Sequence, residues 1–414
     1  MGKKRIVTGL DIGTTKICAI QGYIDDKDQI NIIGFAPRPS YGLRCGKVVD
    51  IEQTVASIQS AVQACEENSG YRIREVFVGI AGNHVRSLNV SGGIEIANPQ
   101  RGVTEEDRRK VIQRTIEKLP RQEGETILHC IPNSYSVDDA HGVQNPIGMT
   151  GNQLTVHMHI VLADTFSMGN ITRCIQRAGI TPRETVLESL ASAVATLTPE
   201  ARKAGVILLD IGGGTTDIAV IDNDSVIFTG VVPCGGDNVT RDIYKVLHCS
   251  PEEAENLKIR SAQATSRGVD PTEVVEYTDV LADKTRTVSR AFLCEIVEAQ
   301  LELIFTKVRD LLTAARIDQR LKAGVVLTGG TALLKGIEDV AGRVLDKSDE
   351  VVVRYPDCIH GLKNAVKSPA YSTCVGLVMG ALRNDPLVAY PIHHENVVSR
   401  FIERMRRIFD TYFY

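Results

Sequence analysis

Tryptophan is absent from this 414-residue chain and aromatic residues make up only 5% of it. Any segment that settles at a water–lipid boundary must therefore rely on phenylalanine and tyrosine. No apolar run approaches the ~20 residues needed to cross a bilayer, and no apolar leader precedes the first strand-like run, so a signal peptide is not expected. Ile6 stands where a myristoylation signal needs serine or threonine. A net charge of -4 supplies no general attraction to nucleic acid. The ten cysteines never fall at C-x-x-C spacing and read as reduced, mostly buried thiols of a cytosolic protein. What is present is bulk: with 43% hydrophobic residues the chain can bury more than one core, so two lobes or several subdomains are expected.

The strongest signal is a loop that occurs twice. Asp11-Ile12-Gly13-Thr14-Thr15-Lys16 and Asp210-Ile211-Gly212-Gly213-Gly214-Thr215-Thr216-Asp217 each join two apolar, strand-like runs, which predicts a β-hairpin with a Gly/Thr tip. A glycine tip has no Cβ in the way, so its N–H groups can close on an anion, and the threonine hydroxyls add donors. The Asp at each strand end suits magnesium held through water, because that ion gives up its hydration shell reluctantly. One Asp-x-Gly hairpin is an ordinary turn. Two in the same context, each opening one half of the chain, predict a duplicated fold gripping a polyphosphate from both sides.

Other segments complete a nucleotide cleft. A buried-type strand at 325–328 opens on Gly329-Gly330-Thr331 and a helix is expected over 333–345, a turn against which a base or ribose can lie. Glu255 and Lys258 share one helix face at i, i+3. Glu188 precedes the small-residue run Ser189–Ala193, which suits a lobe-connecting helix with Glu188 facing the cleft. Residues 84–163 read as a small α+β insertion: strand 87–96, helix 104–119 with Thr104 and Asp107 at capping-box spacing, and strands near 126–137 and 154–162. His157 and His159 share a strand face without a third ligand and read as a strand-surface pair. His129, Asp138, Asp139 and His141 lie in a turn-rich stretch without a nucleophile at fixed spacing, so a catalytic site is not expected there.

The C-terminal segment carries the second signal. Phe401, Ile402, Met405, Ile408, Phe409, Tyr412 and Phe413 follow a 3.6-residue period, while Arg400, Glu403, Arg404, Arg406, Arg407 and Asp410 take the other face. Such an amphipathic helix suits an anionic membrane interface. Full burial of one apolar side chain contributes about 1.5–3 kcal/mol and each basic residue near an anionic surface about 1 kcal/mol. Partial insertion, the two acids and the ordering of the segment all oppose this, so attachment is expected to be weak, reversible and strengthened when several tails act together. The preceding stretch, with two prolines and paired histidines, reads as a tether.

The order of hairpins, Gly-Gly turn and connecting helix resembles the actin, sugar kinase and heat-shock chaperone ATPase superfamily. With the insertion, the terminal helix, and the segments I-P-N-S-Y-S-V-D (131–138), N-P-I-G-M-T-G (145–151) and Y-S-T-C-V-G-L (371–377), the chain is similar end to end to the FtsA family of bacterial cell-division proteins. The alternatives are a small-molecule kinase of the same superfamily, which would need a second-substrate pocket, and a pilus-assembly or MreB-type filament protein, which would lack this terminal helix.

The resemblance implies an α/β, two-lobed actin-like ATPase fold with a small α+β subdomain inserted in the first lobe and a C-terminal amphipathic helix. The implied division is first-lobe core 1–83, insertion 84–163, first-lobe core and connecting helix 164–200, second-lobe core 201–235, second-lobe small subdomain 236–306, second-lobe core 307–355, return to the first lobe 356–384, tether 385–398 and membrane helix 399–414. It implies ATP and magnesium as cofactors, with Asp11, Asp210 and Asp217 around the ion. Gly13, Thr14, Thr15, Lys16, Gly212, Gly213, Gly214, Thr215, Thr216, Glu255, Lys258, Gly329, Gly330 and Thr331 would surround the nucleotide. Glu188 stands where MreB-type ATPases carry a water-positioning glutamate, and turnover is expected to be slow at most. The implied partners are further copies in a filament, the FtsZ C-terminal peptide near Arg286, Arg290, Glu295 and Glu298, later division proteins at the insertion, and the cytoplasmic face of the plasma membrane through Phe401, Ile402, Arg404, Met405, Arg406, Arg407, Ile408, Phe409, Tyr412 and Phe413. The missing tryptophan departs from many family tails, leaving phenylalanine and tyrosine as the interfacial aromatics.

Overall fold

In a computed structural model, which describes residues 5–317, 324–347 and 349–388, the repeated loop closes two hairpins of the same build. Strand Val7–Ile12 pairs antiparallel with Lys16–Ile24 and parallel with Glu75–Ile80. Strand Val206–Ile211 pairs antiparallel with Thr216–Asp222 and parallel with Val325–Thr328. Each hairpin anchors a larger sheet. The first runs Thr181–Leu187, Glu75–Ile80, Val7–Ile12, Lys16–Ile24, Ile30–Pro39, Ile359–Gly361; the second runs Ser225–Val232, Thr216–Asp222, Val206–Ile211, Val325–Thr328, Val351–Val353. The central strands are buried on both faces, which is why they read as continuous apolar runs rather than as alternation.

Between the two sheets lie the connecting helix Glu188–Thr196 and the return helix Ser372–Arg383, both buried nearly throughout. Their small residues let the backbones close up. A Cβ on Gly376 would stand 1.8 Å from the Ala191 carbonyl oxygen. Beyond Asn384 the chain packs rather than leaving: Asp385 pairs with Arg202 at 3.1 Å, and Leu387 and Val388 are buried. The start of the tether expected at 385 is thus part of the body. The amphipathic segment at 399–414 and the rest of the tether lie outside the described residues. Among the described residues no helix is long and apolar enough to cross a membrane.

The insertion forms a four-stranded sheet in the order Val85–Glu95, Gln153–Asp164, Glu125–Val137, Ala140–Val143, covered by helix Glu105–Glu117. Thr104 and Asp107 form the capping box. The short strand Ala140–Val143 adds to the strands read from sequence; its Ala-His-Gly-Val sequence carries no alternation. The helix expected at 333–345 begins later, at Ile337, and runs to Val344; it follows a 3-10 turn, Gly330–Leu333, and is capped by Gly336 at φ 81.

Chain order places the insertion in the first lobe, yet its sheet is bonded to the second. Ser87 Oγ donates to the Thr229 carbonyl (2.7 Å), Asn89 Nδ2 to that of Ile227 (2.9 Å) and Asn133 Nδ2 to that of Val226 (2.7 Å). His159 bridges the seam, with Nδ1 2.8 Å from Asn89 Oδ1 and Nε2 2.9 Å from Thr229 Oγ1. His157 lies between Ser91 and Ser136. This corrects the reading of His159 as a strand-surface residue: it is 1% exposed, and burial pulls its pKa down to about 3, while His157 is half-buried.

Candidate functional site

The tips of the two hairpins face one another and touch. Thr15 Oγ1 lies 1.8 Å from where a Cβ on Gly213 would stand, and Thr14 Oγ1 lies 2.6 Å from that of Gly214. Only glycine lets these tips approach so closely. Thr15 donates a hydrogen bond to Asp237 Oδ1 (3.2 Å). A third element closes the first tip: the Gly46 N–H donates to Thr14 Oγ1 (3.3 Å).

The second tip is cradled from behind. Gly236 N–H donates to the Gly212 carbonyl (2.9 Å) and Asp237 N–H to that of Gly213 (2.8 Å), while Thr331 Oγ1 donates to the Gly212 carbonyl (2.8 Å). Gly329 abuts Asp210, its Cβ position being 2.5 Å from Oδ1, and Gly330 opens the adjoining 3-10 turn. Lys258 reaches the same corner, donating to the Gly236 carbonyl (3.2 Å) and to Thr240 Oγ1 (2.8 Å) and pairing with Glu255 at 2.7 Å. Thr240 in turn donates to Glu255. The ion pair read from i, i+3 spacing on helix Pro251–Arg260 therefore forms, at the edge of the cleft.

At the floor, carboxylates from both lobes converge. Burial pushes Asp11 up to about 6; Lys16 opposes the rise and Asp210 adds to it. Burial also drives Asp217 up to about 8, with Asp210 adding to it. Asp210 is raised by burial, while the hydroxyls of Ser192 and Thr373 and the charge of Lys16 hold it down. Glu188, at the head of the connecting helix, is raised well above the carboxylate range by burial and then by Asp11, Asp217 and Asp210. Lys16 is a nearby cation: burial lowers its pKa, but Asp11, together with Cys18, Asp210 and Cys374, outweighs that and raises it, and its ammonium lies 5.7 Å from the Tyr371 ring.

This donor set fits a hydrated divalent cation. Asp217 Oδ1 is buried with no hydrogen-bond partner, and a cation would relieve the mutual repulsion that raises these groups. Among the described residues no three His, Cys, Asp or Glu side chains stand together as direct ligands of one ion, so an ion here would be held largely through water.

Other sequence-predicted residues lie elsewhere and are engaged. Arg286 pairs with Asp279 at 2.9 Å and Arg290 with Glu273, while Glu298 accepts from Ser266 N–H (2.9 Å) and pairs with Arg343 at 2.8 Å; Glu295 is exposed on helix Arg290–Ala314. In the insertion, His129 Nε2 accepts from the Leu187 N–H (2.9 Å) and Asp138 accepts from the Asn152 and Gln153 N–H groups, both structural uses. Sequence reading gave no role to Gly235, Gly236, Asp237, Ser192 or Thr373. The Gly235-Gly236 pair offered the same strand-to-helix signal as Gly329-Gly330; the two hydroxyls offered none.

Residues 207–376 match the family model for cell division protein FtsA, and residues 82–162 match that for the SHS2 domain inserted in FTSA. A cell division protein FtsA of Pseudomonas aeruginosa is 37% identical, covering 92% of this chain and 90% of its own. Among solved structures, the PilM-PilN type IV pilus biogenesis complex matches with a TM-score of 0.65 at 15% identity, covering 92% of this chain and 99% of that one. MreB5 of Spiroplasma citri bound to ADP matches with a TM-score of 0.50 at 12% identity, covering 92% and 99%. These two likenesses carry the actin-like fold.

Proposed function

The chain belongs to the FtsA family of bacterial cell-division proteins, and from that premise we propose that its cleft takes ATP with magnesium and that the terminal segment holds the loaded protein, as an actin-like polymer, on the cytoplasmic membrane at the division site. The carrying observation for the nucleotide is the meeting of the glycine tips, Gly213 against Thr15 and Gly214 against Thr14, over a floor of buried carboxylates. The N–H groups of Thr14, Thr15, Gly213 and Gly214, with the hydroxyl of Thr215, serve the phosphates; Gly13 and Gly212 instead close the turns by donating their N–H groups to the Lys16 and Thr215 carbonyls (3.0 and 2.9 Å), and the buried Thr216 hydroxyl donates to the Cys234 carbonyl (2.9 Å). Glu255, Lys258, Gly329, Gly330 and Thr331 lie on the nucleoside side. Asp11, Asp210 and Asp217 hold magnesium through water, and that ion neutralises phosphate charge when bound. The ADP-bound MreB5 offers a precedent for a nucleotide on this fold.

Glu188, raised by burial and then by the neighbouring aspartates, orients water, and nucleotide acts chiefly as a lobe-closing ligand with slow turnover at most. The subdomain division given above is retained as part of this reading, with the tether starting after Val388. The small subdomain at 236–306 takes the FtsZ C-terminal peptide. Arg286, Arg290 and Glu298 would have to exchange their present ion pairs for it, while exposed Glu295 is free of that cost. The insertion offers its surface to later division proteins.

Titration with a fluorescent ATP analogue tests the cleft: Asp210→Ala should lower magnesium-dependent affinity at least tenfold, and unchanged affinity would leave the second hairpin an ordinary turn. Co-sedimentation with anionic liposomes tests the tail. Phe409→Glu and a truncation before Ser399 should both stay in the supernatant, and pelleting equal to the intact chain would remove the anchor.

A further inference from the structure

We propose that Ser192 and Thr373 are positioning residues that orient the Asp210 carboxylate for a nucleotide-bound cation, and that they hold it only while the lobes are closed. Asp210 Oδ2 accepts hydrogen bonds from the hydroxyls of Ser192 and Thr373, the latter at 3.0 Å, and the two hydroxyls lie 3.0 Å from each other. All three residues are buried. Two donors on one oxygen fix the plane of the carboxylate and leave Oδ1 as the atom available to a hydrated cation.

The bonds cross the lobe boundary. Asp210 ends a strand of the second sheet. Thr373 lies on the return helix, which is seated on the first sheet: Cys374 Sγ donates to the Cys18 carbonyl (3.2 Å), and the Thr373 methyl lies 3.2 Å from the Cβ position of Gly79. Ser192 lies on the connecting helix, in contact with both sheets. Opening the lobes along this layer withdraws the hydroxyls from Asp210. Asp217 differs, since its hydroxyl bond comes from Thr215 in the same hairpin (2.8 Å) and travels with it. Cation affinity is thereby tied to closure through a particular pair of side chains.

The inference rests on the nucleotide reading of the cleft, and the test separates the two. ATP affinity of the full chain is measured in excess magnesium and in chelator for the wild type, Ser192→Ala, Thr373→Val and Thr373→Ser, with thermal midpoints recorded alongside. Valine keeps the shape of threonine and loses the hydroxyl; serine keeps the hydroxyl and loses the methyl. Ser192→Ala and Thr373→Val should lose roughly tenfold of the magnesium-dependent gain in affinity, as expected for a lost hydrogen bond to a charged group. Their affinity in chelator should stay near wild type, and Thr373→Ser should stay within about twofold in both conditions. A valine variant that keeps the magnesium gain, or a serine variant that loses it, makes Thr373 a packing residue and overturns the inference. Wild-type protein that binds no ATP in either condition overturns the nucleotide reading with it.

Discussion

An added side chain at one position decides whether the hairpin tips can meet. The Cβ of any residue replacing Gly213 would stand 1.8 Å from Thr15 Oγ1 and 2.9 Å from Asp237 Oδ1, so Gly213→Val should prop the lobes apart. The expected result is at least a tenfold loss of ATP affinity by fluorescence titration, with a thermal midpoint close to wild type because the clash lies at the hairpin tips and not in any hydrophobic core. The carboxylates set a pH dependence whose sign is fixed by burial. Asp11 and Asp217 are raised from 3.8 to about 6 and about 8, so the folded protein keeps protons that the unfolded chain releases. Above about pH 6.5, where the lowered histidines His84 and His159 no longer oppose the effect, stability of the nucleotide-free protein should therefore fall as pH rises to about 8, and magnesium with ATP should flatten that decline. Scanning calorimetry across that range checks it; a stability that rises over the window would contradict the buried cluster. These aspartates were legible in sequence because a hairpin tip is a local object. Ser192 and Thr373 were not, since they meet across 181 residues of separation and a serine or threonine in an apolar helix carries no mark of what it touches.

At the scale of elements, the packing of the connecting helix on the return helix depends on a missing side chain. Gly376→Val would drive a Cβ to 1.8 Å from the Ala191 backbone oxygen, which cannot move without moving its helix. A loss of about 3 kcal/mol is expected in urea denaturation. Gly169, in helix Thr165–Arg177, has nothing within 4 Å of its Cβ position, so Gly169→Ala should instead add about 0.5–1 kcal/mol by helix propensity. Equal effects of the two changes would remove the close-approach argument. Period and capping made most elements readable in advance, including the capping box at Thr104 and Asp107. The exceptions have local causes. Gly336 adopts a left-handed conformation and delays the start of the helix to Ile337, and strand Ala140–Val143 is held by pairing with Glu125–Val137 rather than by its own alternation.

For the whole molecule, the seam between the insertion and strand Ser225–Val232 matters most, and it was the least readable feature. Sequence placed His157 and His159 on one strand face but could not say what covers that face, and the answer is the other lobe. Lobe opening must therefore strain two sets of bonds: the hydroxyls on Asp210 and the Ser87, Asn89, Asn133 and His159 contacts to the second sheet. If the seam favours the closed form, weakening it shifts the population toward open molecules, and a ligand that selects the closed form binds less tightly by that factor. Asn89→Ala combined with Asn133→Ala, far from the phosphate hairpins in the fold, should lower ATP affinity several-fold and speed hydrogen exchange at Val226–Thr229 in the nucleotide-free protein. Saturating ATP should restore much of the protection, because ligand binding and seam formation draw on the same closed state. Faster exchange with unchanged ATP affinity would make the seam a local fastening. A fall in affinity that ATP-dependent protection mirrors would mean that the insertion reports the state of the cleft.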